Sequence, residues 1–296
     1  MNFDKLITES LYPNILRDAI FFLKENLYHG FLNKDQVNTL SLKYSLEDHN
    51  LAIILLDLAA KYSSPLVSNF HVGAIAIGES GNFYFGANQE FLSLPIQYTI
   101  HAEQSALSHA FMMNEVSIKK LIISAPPCGH CRQFINELNS ASSILIYLKG
   151  YKNSINFKEL LPISFGPKDL GINYGLFDKF DLGIQKHFDK KEMNILLKVF
   201  NKSYAPYAKK HSAIAFKLKN ELICGSIIEN AAFNPSLNSL SCTLSFLKLK
   251  NRNIKDILEI YFIEMKSSLS ELPFLMDFIK ENCLDINPVI EFIESF

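Results

Sequence analysis

The sequence lacks the excess of positive charge that is typical of proteins that bind nucleic acids. Its 29 lysines and arginines are matched by 30 aspartates and glutamates, which leaves a formal net charge of −1. A near-neutral chain produces no broad positive field to attract a long polyanion. We therefore expect no nucleic-acid partner.

Long apolar segments are also absent from the sequence. The most apolar run, LAIILLDLAA at 51–60, contains Asp57 and is too short to span a bilayer. The first ten residues, MNFDKLITES, have neither the basic start nor the apolar stretch of a signal peptide. These two features predict a protein that does not associate with membranes.

Cysteine is scarce, with five residues in a chain of 296. An odd number of cysteines without a secretion signal favours a reducing, cytoplasmic location over a disulfide framework. What the chain does have is 48% hydrophobic and 20% charged residues. That balance is typical of a folded globular protein.

Residues 1–47 have a helical pattern, because the apolar positions of NILRDAIFFLKENL are spaced three and four apart. Asn33 is the expected N-cap of the next helix, and Ser45 or Asp48 is the expected N-cap of the helix after it. This part of the chain is predicted to be a helical segment that precedes the first domain.

Residues 48–150 have the order β-β-α-β-α-β, which predicts a mixed sheet with helices packed on its faces. The segments that carry this pattern are HVGAIAIG (71–78), NFYFGAN (82–88), HAEQSALSHAFMM (101–113), KLIISA (120–125), CGHCRQFINEL (128–138) and SILIYL (143–148). The following stretch, 151–183, contains LPISFGPKDLGINYG and is predicted to be a linker or an extended arm.

The pattern of the first domain returns in part after residue 183. KYSSPLVSNFHVGAIAI (61–77) is echoed by KSYAPYAKKHSAIAF (202–216), and YFGANQEF (84–91) by ICGSIIEN (223–230). Gly86 and Glu90 of the first copy match Gly225 and Glu229 of the second at the same separation. An internal duplication is the economical interpretation, with residues 184–296 as the second copy.

One group of side chains in the first copy has the spacing of a metal site. His101 and Glu103 lie in HAE, and Cys128 and Cys131 lie in PCGHC. Two cysteines two residues apart at a turn into a helix can face one ion, and the helix N-terminus helps to keep them ionised.

An imidazole, here that of His101, would be a third ligand. Three protein ligands are typical of catalytic zinc, whereas structural zinc sites usually have four. Zinc lowers the pKa of bound water, and a carboxylate close to the histidine can take the proton. The sequence thus predicts one Zn²⁺ per chain, held by His101, Cys128 and Cys131, with Glu103 as the proton shuttle.

The second copy is predicted to have lost this chemistry. The steps of 11 and 13 residues that lead from Glu90 to His101 and Glu103 lead from Glu229 to Leu240 and Cys242, and no C-x-x-C follows. We therefore expect a degenerate, structural second domain.

These motifs resemble the zinc cytidine deaminases, whose signature is H-x-E…P-C-x-x-C. FGANQEF, HAEQSALSHAF, PCGHCRQFINELNS and FGPKDL are similar to the long, two-domain form found in bacteria and plants. The resemblance implies a duplicated three-layer α/β/α fold. It also implies hydrolysis of cytidine and 2′-deoxycytidine to uridine and 2′-deoxyuridine by zinc-activated hydroxide, with release of ammonia (EC 3.5.4.5), in pyrimidine salvage. The family forms homodimers.

The resemblance also implies roles in binding a small nucleoside substrate. Asn88 and Glu90 match a ribose-binding pair, Phe70 and Ala102 match positions in the base pocket, and Phe165 matches a residue that reaches across the dimer. Pro126 stands where the family commonly has Ser or Thr, whose backbone carbonyl accepts from the 4-amino group; proline keeps that carbonyl but has no N–H.

Several alternatives remain open on sequence grounds. The C-x-x-C could be a redox pair, the zinc chemistry could act on RNA or DNA, or the zinc could stabilise a non-catalytic module with a fourth protein ligand. Asn88 and Glu90 could close a turn, and Arg132 could be a plain surface charge or a donor to a zinc thiolate. His130 is predicted to have a solvent or supporting role.

Overall fold

The protein is described from a computed structural model that covers residues 3–27, 29–92 and 94–294. Its α-helices are α1 (Asp4–Glu9), α2 (Pro13–Glu25), α3 (Lys34–Tyr44), α4 (Asp48–Ala60), α5 (Ala102–Met112), α6 (Gly129–Ile135), α7 (Phe157–Leu160), α8 (Lys191–Asn201), α9 (Ser239–Leu249) and α10 (Leu272–Glu281). Its strands are β1 (Phe31–Leu32), β2 (Gly73–Gly78), β3 (Phe83–Ala87), β4 (Ile118–Ile123), β5 (Leu145–Leu148), β6 (Ile155–Asn156), β7 (Ser212–Lys217), β8 (Leu222–Ser226), β9 (Glu259–Met265) and β10 (Val289–Ile293). The β-β-α-β-α-β order predicted for 48–150 is confirmed.

The first sheet has six strands in the order β1-β3-β2-β4-β5-β6. β4 and β5 are parallel and the other neighbours are antiparallel, so the sheet is mixed, as predicted. Strands from both sides of the first domain extend this sheet, since β1 comes from the helical segment and β6 from the stretch after residue 150.

Alternate residues of β2 pack on opposite faces of this sheet. Ile75 and Ile77 belong to a core shared with α2 and α4, whereas Ala74 and Ala76 belong to the core formed with α5. The side chains of a strand alternate between faces, so the sheet is covered on both sides. The predicted three-layer arrangement is confirmed.

Helix α5 lies unusually close to the sheet, and this closeness requires a glycine on β3. A Cβ at Gly86 would lie 2.2 Å from the backbone nitrogen of Ala106. The close approach fixes the height of α5 above the sheet, and with it the position of the residues in its first turn.

The second sheet repeats the plan of the first. Its order β10-β9-β7-β8 corresponds to β5-β4-β2-β3, and β10 and β9 are again the parallel pair. Helix α8 packs on one face, while α9 and α10 pack on the other. The duplication is thus confirmed at the level of the fold.

The two copies meet where α5 faces α9, within one continuous apolar core. Ser105 of α5 and Ser245 of α9 share a hydrogen bond of 2.8 Å at this contact. The domains are therefore packed through α5, which begins beside the predicted metal site, and through its counterpart α9.

The residue correspondence predicted for the second copy is wrong by two positions. Glycine packing sets the true register, because Gly225 lies against Thr243 of α9 as Gly86 lies against Ala106 of α5. Both helices have 11 residues, and their N-caps are Asn238 and His101. The counterparts of His101 and Glu103 are therefore Asn238 and Leu240, rather than Leu240 and Cys242. The connection between strand and helix is two residues shorter in the second copy.

The helix caps of the N-terminal segment are partly as predicted. Asn33 caps α3, with its side chain accepting from the Gln36 backbone N–H at 3.0 Å. Ser45 ends α3 in the left-handed region (φ +53°), and Glu47 is the N-cap of α4. Neither Ser45 nor Asp48 is thus the cap that the sequence suggested. Within the described ranges, no helix has the length and apolar character needed to cross a lipid bilayer.

Candidate metal and active site

Three side chains meet where α5 and α6 begin. His101 directly precedes α5, Cys128 directly precedes α6, and Cys131 lies in the first turn of α6. His101 Nδ1 lies 3.2 Å from Cys131 Sγ and 3.4 Å from Cys128 Sγ, and the two sulfurs are 3.6 Å apart.

This triangle has the dimensions of one face of a zinc tetrahedron. With Zn–S of about 2.3 Å and Zn–N of about 2.0 Å, tetrahedral angles place the sulfurs about 3.8 Å apart and nitrogen about 3.5 Å from sulfur. The observed edges are a few tenths of an ångström shorter. The donor set of one imidazole and two sulfurs also suits zinc chemically.

The two thiols are not equivalent as acids. The hydrogen bond between the two thiols lowers the pKa of Cys128 to about 4. The same bond, together with burial, raises the pKa of Cys131. The pair thus holds one proton between its sulfurs, and a dication that replaced this proton would stabilise both thiolates.

Glu103 lies in the first turn of α5, two residues after His101, and its side chain is buried at 5% exposure. Burial raises the pKa of its carboxyl group, which also makes a hydrogen bond with the Cys131 thiol. A carboxyl group in these surroundings is suited to take up and return a proton beside the three ligands.

His130 also comes close to the predicted ligands. Together with His101 and Cys131 it forms a group whose ligand atoms lie within 4.8 Å of one another. The tighter triangle nevertheless contains Cys128, and the Nε2 of His130 lies 3.3 Å from the carbonyl of Asn234, to which it can donate. His130 is therefore better placed to support the site than to complete it.

Arg132 is bonded to two backbone carbonyls. Its guanidinium donates to the carbonyls of Pro127 (3.0 Å) and Leu160 (2.9 Å). It thus ties the turn before Cys128 to α7, which is neither of the two roles that the sequence left open.

Asn88 and Glu90 both hold the loop at 67–72. Asn88 accepts from the Val72 N–H (2.9 Å) and donates to the Phe70 carbonyl (2.8 Å). Glu90 accepts from the backbone N–H groups of Val67 and Ser68 and from the Ser68 hydroxyl. Burial acts to raise the pKa of Glu90, but these bonds outweigh it and hold the pKa below its usual value.

The second copy keeps the counterpart of Glu90 but not that of Asn88. Glu229 keeps the bonds of Glu90, since it accepts from the backbone N–H groups of Tyr207 and Ala208. The position of Asn88 is occupied by Ile227. Closing the loop is therefore a structural task of the glutamate in both copies, and any contact with ribose would be an additional task in the first copy.

The remaining predicted residues have different surroundings. Ala102 is buried at the start of α5, Pro126 is exposed just before the ligand turn, and the Phe70 side chain is 60% exposed. Phe165 is 47% exposed, and its carbonyl accepts from Gln133 (2.7 Å) and Asn136 (3.0 Å) towards the end of α6. The phenylalanine rings are thus open to contacts beyond this chain.

Two contacts at the site were not predicted. The side chain of Gln104 lies between the backbone of His101 and the carbonyl of Pro235, and residues 230–236 of the second copy reach the ligand helices. No local pattern in the sequence indicates the contacts between the two copies, because the bonded partners are 94 to 131 positions apart.

Comparison with known proteins gives the same assignment for both halves. Residues 46–147 and 157–272 each match the family described as the cytidine and deoxycytidylate deaminase zinc-binding region. The chain is 44% identical over 258 residues to the cytidine deaminase of Histophilus somni (strain 2336), covering 87% of this chain and 85% of that protein. It is 42% identical over 264 residues to that of Proteus mirabilis (strain HI4320), covering 89% and 90%.

A solved structure is similar to part of the chain. The crystal structure of cytidine deaminase from Mycobacterium tuberculosis is 27% identical and covers 40% of this chain and 98% of its own, with a TM-score of 0.37. Because the two family matches span most of the sequence and the curated relatives exceed 40% identity, the chain belongs to the cytidine and deoxycytidylate deaminase family, in the long form with two deaminase domains.

Proposed function

We propose that the protein is a zinc-dependent cytidine deaminase (EC 3.5.4.5), which hydrolyses cytidine and 2′-deoxycytidine to uridine and 2′-deoxyuridine and releases ammonia. The observation that carries this proposal is the triangle of His101, Cys128 and Cys131 beside the buried Glu103. The curated relatives named above are cytidine deaminases, which supports the same substrate class.

His101, Cys128 and Cys131 would hold one zinc ion per chain. When bound, zinc lowers the pKa of water enough to supply a nucleophile at neutral pH. Two of the three ligands are helix N-caps and the third lies in a first turn, on two helices packed on one sheet, so the fold fixes their mutual positions.

Glu103 would move the protons. It accepts one proton from the attacking water and delivers it to N3 of the pyrimidine while the water oxygen adds at C4. The second proton of that water then passes to the 4-amino nitrogen, the C4–N bond breaks, and ammonia leaves. The raised pKa of Glu103 suits it to hold a proton between these transfers.

The substrate would be held by groups around the 67–72 loop. Asn88 and Glu90, which fix this loop, are proposed to bind the ribose hydroxyls, and Phe70 is proposed to pack on the base. Ala102 and the Pro126 carbonyl would contact the polar edge of the pyrimidine.

A homodimer is proposed to complete each site. Cys128 lies at the surface of the chain, and both Phe70 and Phe165 expose about half of their side chains or more. Exposure of a predicted metal ligand and of two predicted substrate-binding phenylalanines is what one would find if a second copy of the chain covered them. We further propose a cytoplasmic location, which agrees with five cysteines that are all free.

The domain organisation is proposed as a helical segment at 1–47, the catalytic domain at 48–150, an arm at 151–183 and the degenerate domain at 184–296. The two family matches, 46–147 and 157–272, support a catalytic unit followed by a second unit.

An ammonia-release assay tests the proposed function. Purified protein should release ammonia from cytidine, lose this activity after incubation with a zinc chelator, and recover it when zinc is added. Cytidine within a single-stranded oligonucleotide should not be deaminated, because the chain carries no net positive charge to bind the polymer. Zinc at one equivalent without ammonia release from any pyrimidine nucleoside would favour a non-catalytic zinc module instead.

A further inference from the structure

A loop of the second domain lies against both helices that carry the predicted ligands. This loop connects β8 to α9 and comprises residues 230–237; we call it the 230–237 loop. The backbone groups of Ile228 and Leu237 hydrogen-bond to each other in both directions at its base. The Ser236 hydroxyl accepts from the Asn230 N–H at 2.9 Å and closes the loop internally.

The loop makes hydrogen bonds to α6. His130 Nε2 lies 3.3 Å from the carbonyl of Asn234, and the Asn230 side chain donates to the Gln133 carbonyl at 2.9 Å. The buried carboxylate of Glu137, just after α6, accepts from the Ala231 N–H at 3.0 Å. The loop is thus held against the whole length of the helix that begins at Cys128.

Gln104 makes a polar contact between α5 and the loop. Its Nε2 donates to the Pro235 carbonyl at 3.0 Å, and its Oε1 accepts from the backbone N–H of His101 at 3.3 Å. The side chain is buried at 2% exposure. Both ends of one rigid amide are therefore engaged, one by the second domain and one by a predicted metal ligand.

In the second copy, the described residues include no such bridge at the start of α9. There the Asn238 side chain accepts from the Ser241 N–H, so the helix is capped from within. Ser241 is the counterpart of Gln104 in the corrected register. The copy without metal ligands has a local cap, and the copy with metal ligands has a link to the other domain.

We propose that Gln104 is a positioning residue that fixes His101 against the 230–237 loop, so that the degenerate domain sets the geometry of the metal site. This inference rests on the proposed function, since it assumes that His101 binds zinc. Groups that orient a metal ligand from behind typically change metal affinity or activity by about 10- to 100-fold when they are removed.

The test measures zinc release from the holoenzyme into a chromophoric chelator. Gln104→Met keeps the length of the side chain but removes both hydrogen bonds, and should release zinc about tenfold faster than wild type. Ser236→Ala loosens the loop without touching the first domain, and should speed release about threefold. Ser105→Ala is the matched control: it removes a buried side-chain hydrogen bond between α5 and α9 but keeps the backbone bond from the Ser105 N–H to the His101 carbonyl (2.9 Å), and should change release by less than twofold.

The double variant Gln104→Met/Ser236→Ala tests whether the loop acts on His101 through Gln104. If the loop acts on His101 through Gln104, Ser236→Ala should add nothing to the release rate in the Gln104→Met background, whereas independent effects would multiply to about thirtyfold. At saturating zinc, the kcat of Gln104→Met should fall while KM for cytidine changes less than twofold.

Wild-type release rates in both Gln104→Met and Ser236→Ala, or a multiplicative double variant, would overturn the inference. If Gln104→Met does not fold, the comparison of Ser236→Ala with Ser105→Ala decides, because equal release rates in those two variants contradict the proposed role of the loop. Failure of the proposed function itself would look different: the wild-type protein would then hold no zinc or would release no ammonia from cytidine.

Discussion

The Nδ1 atom of His101 lies 3.2 Å from the Sγ atom of Cys131, although the two residues are 30 positions apart. The separation is bridged by α5, β4 and the turn into α6, and both residues lie at helix starts on one face of the first sheet. Together with the Sγ atom of Cys128, this imidazole and thiol form the donor set of one nitrogen and two sulfurs that zinc sites use.

Glu103→Gln should keep zinc and the fold but lower kcat for cytidine by about 10³-fold or more, because the amide cannot accept the proton of the attacking water. Ammonia release and zinc content measured on the same sample check this. Glu115→Gln is the control, since Glu115 is also a buried carboxylate of the first domain but binds Ser80 and Tyr84 instead. Near-wild-type turnover by Glu103→Gln would exclude the proposed role.

Cys128→Ala should reduce zinc to well below one equivalent per chain, because the remaining histidine and cysteine leave the ion two protein ligands short of a tetrahedron. Metal analysis after dialysis measures this. Cys283→Ala, at another exposed cysteine, should keep a full complement of zinc. Equal zinc in both variants would show that Cys128 is not a ligand.

His130→Gln tests whether the site has a fourth protein ligand. If His130 supports the site from behind, the variant should keep one zinc per chain and part of its activity. If His130 instead binds the metal, as its distance to His101 and Cys131 would allow, the variant should lose zinc as Cys128→Ala does. Zinc content of the two variants, prepared side by side, separates these outcomes.

Glu90→Gln should raise KM for cytidine by about tenfold, with a smaller change in kcat. One reason is the proposed loss of a bond to ribose, and another is a looser 67–72 loop, because a neutral amide accepts more weakly from Val67 and Ser68. Glu229→Gln is the matched control in the second copy and should leave KM unchanged. The prediction fails if both variants shift KM equally.

Acid should destabilise the second domain partly through His211. Burial lowers the pKa of this histidine to about 4, while its Nδ1 is bonded to the Ser203 hydroxyl. An unfolded histidine has a pKa near 6.5. The buried neutral form therefore contributes fully above about pH 6.5, and its contribution is lost as the pH falls towards 4.

The free energy of unfolding should fall less in His211→Gln than in wild type between pH 6.5 and pH 4, by up to about 3 kcal/mol. Urea unfolding of both proteins at fixed zinc across this range measures it. His29 and His109, whose pKa values burial also lowers to about 4, remain in the variant and keep the rest of the slope. Parallel curves for the two proteins would contradict the assignment.

The predicted zinc ligands and the catalytic carboxylate could be identified because they lie in two short sequence motifs. HAE places a predicted ligand at the N-cap and a carboxylate in the first turn of one helix. C-x-x-C places one sulfur at the N-cap and the other in the first turn of a second helix. A helix start fixes the directions of neighbouring side chains, so local spacing pairs His101 with Glu103 and Cys128 with Cys131. The resemblance to the signature H-x-E…P-C-x-x-C assigns the two pairs to one site.

The register of the second copy could not be predicted by counting. The connection from Glu229 to Asn238 takes nine residues, against eleven from Glu90 to His101. A surface connection can lose two residues without disturbing the elements it joins, and only the packing of Gly225 on Thr243 reveals the loss.

The hydrogen bond from Gln104 to Pro235 could not be predicted from the sequence for a related reason. It joins residues 131 positions apart and depends on how α5 and α9 face each other. One sequence contains no information on that relative placement beyond the apolar faces of the two helices.

Reconstitution of the zinc-free protein with measured amounts of zinc tests the central claim most directly. Ammonia release from cytidine should be undetectable without zinc, rise linearly with added zinc, and level off at one equivalent per chain. Turnover that persists without metal, or a plateau at two equivalents, would contradict a single catalytic zinc held by His101, Cys128 and Cys131.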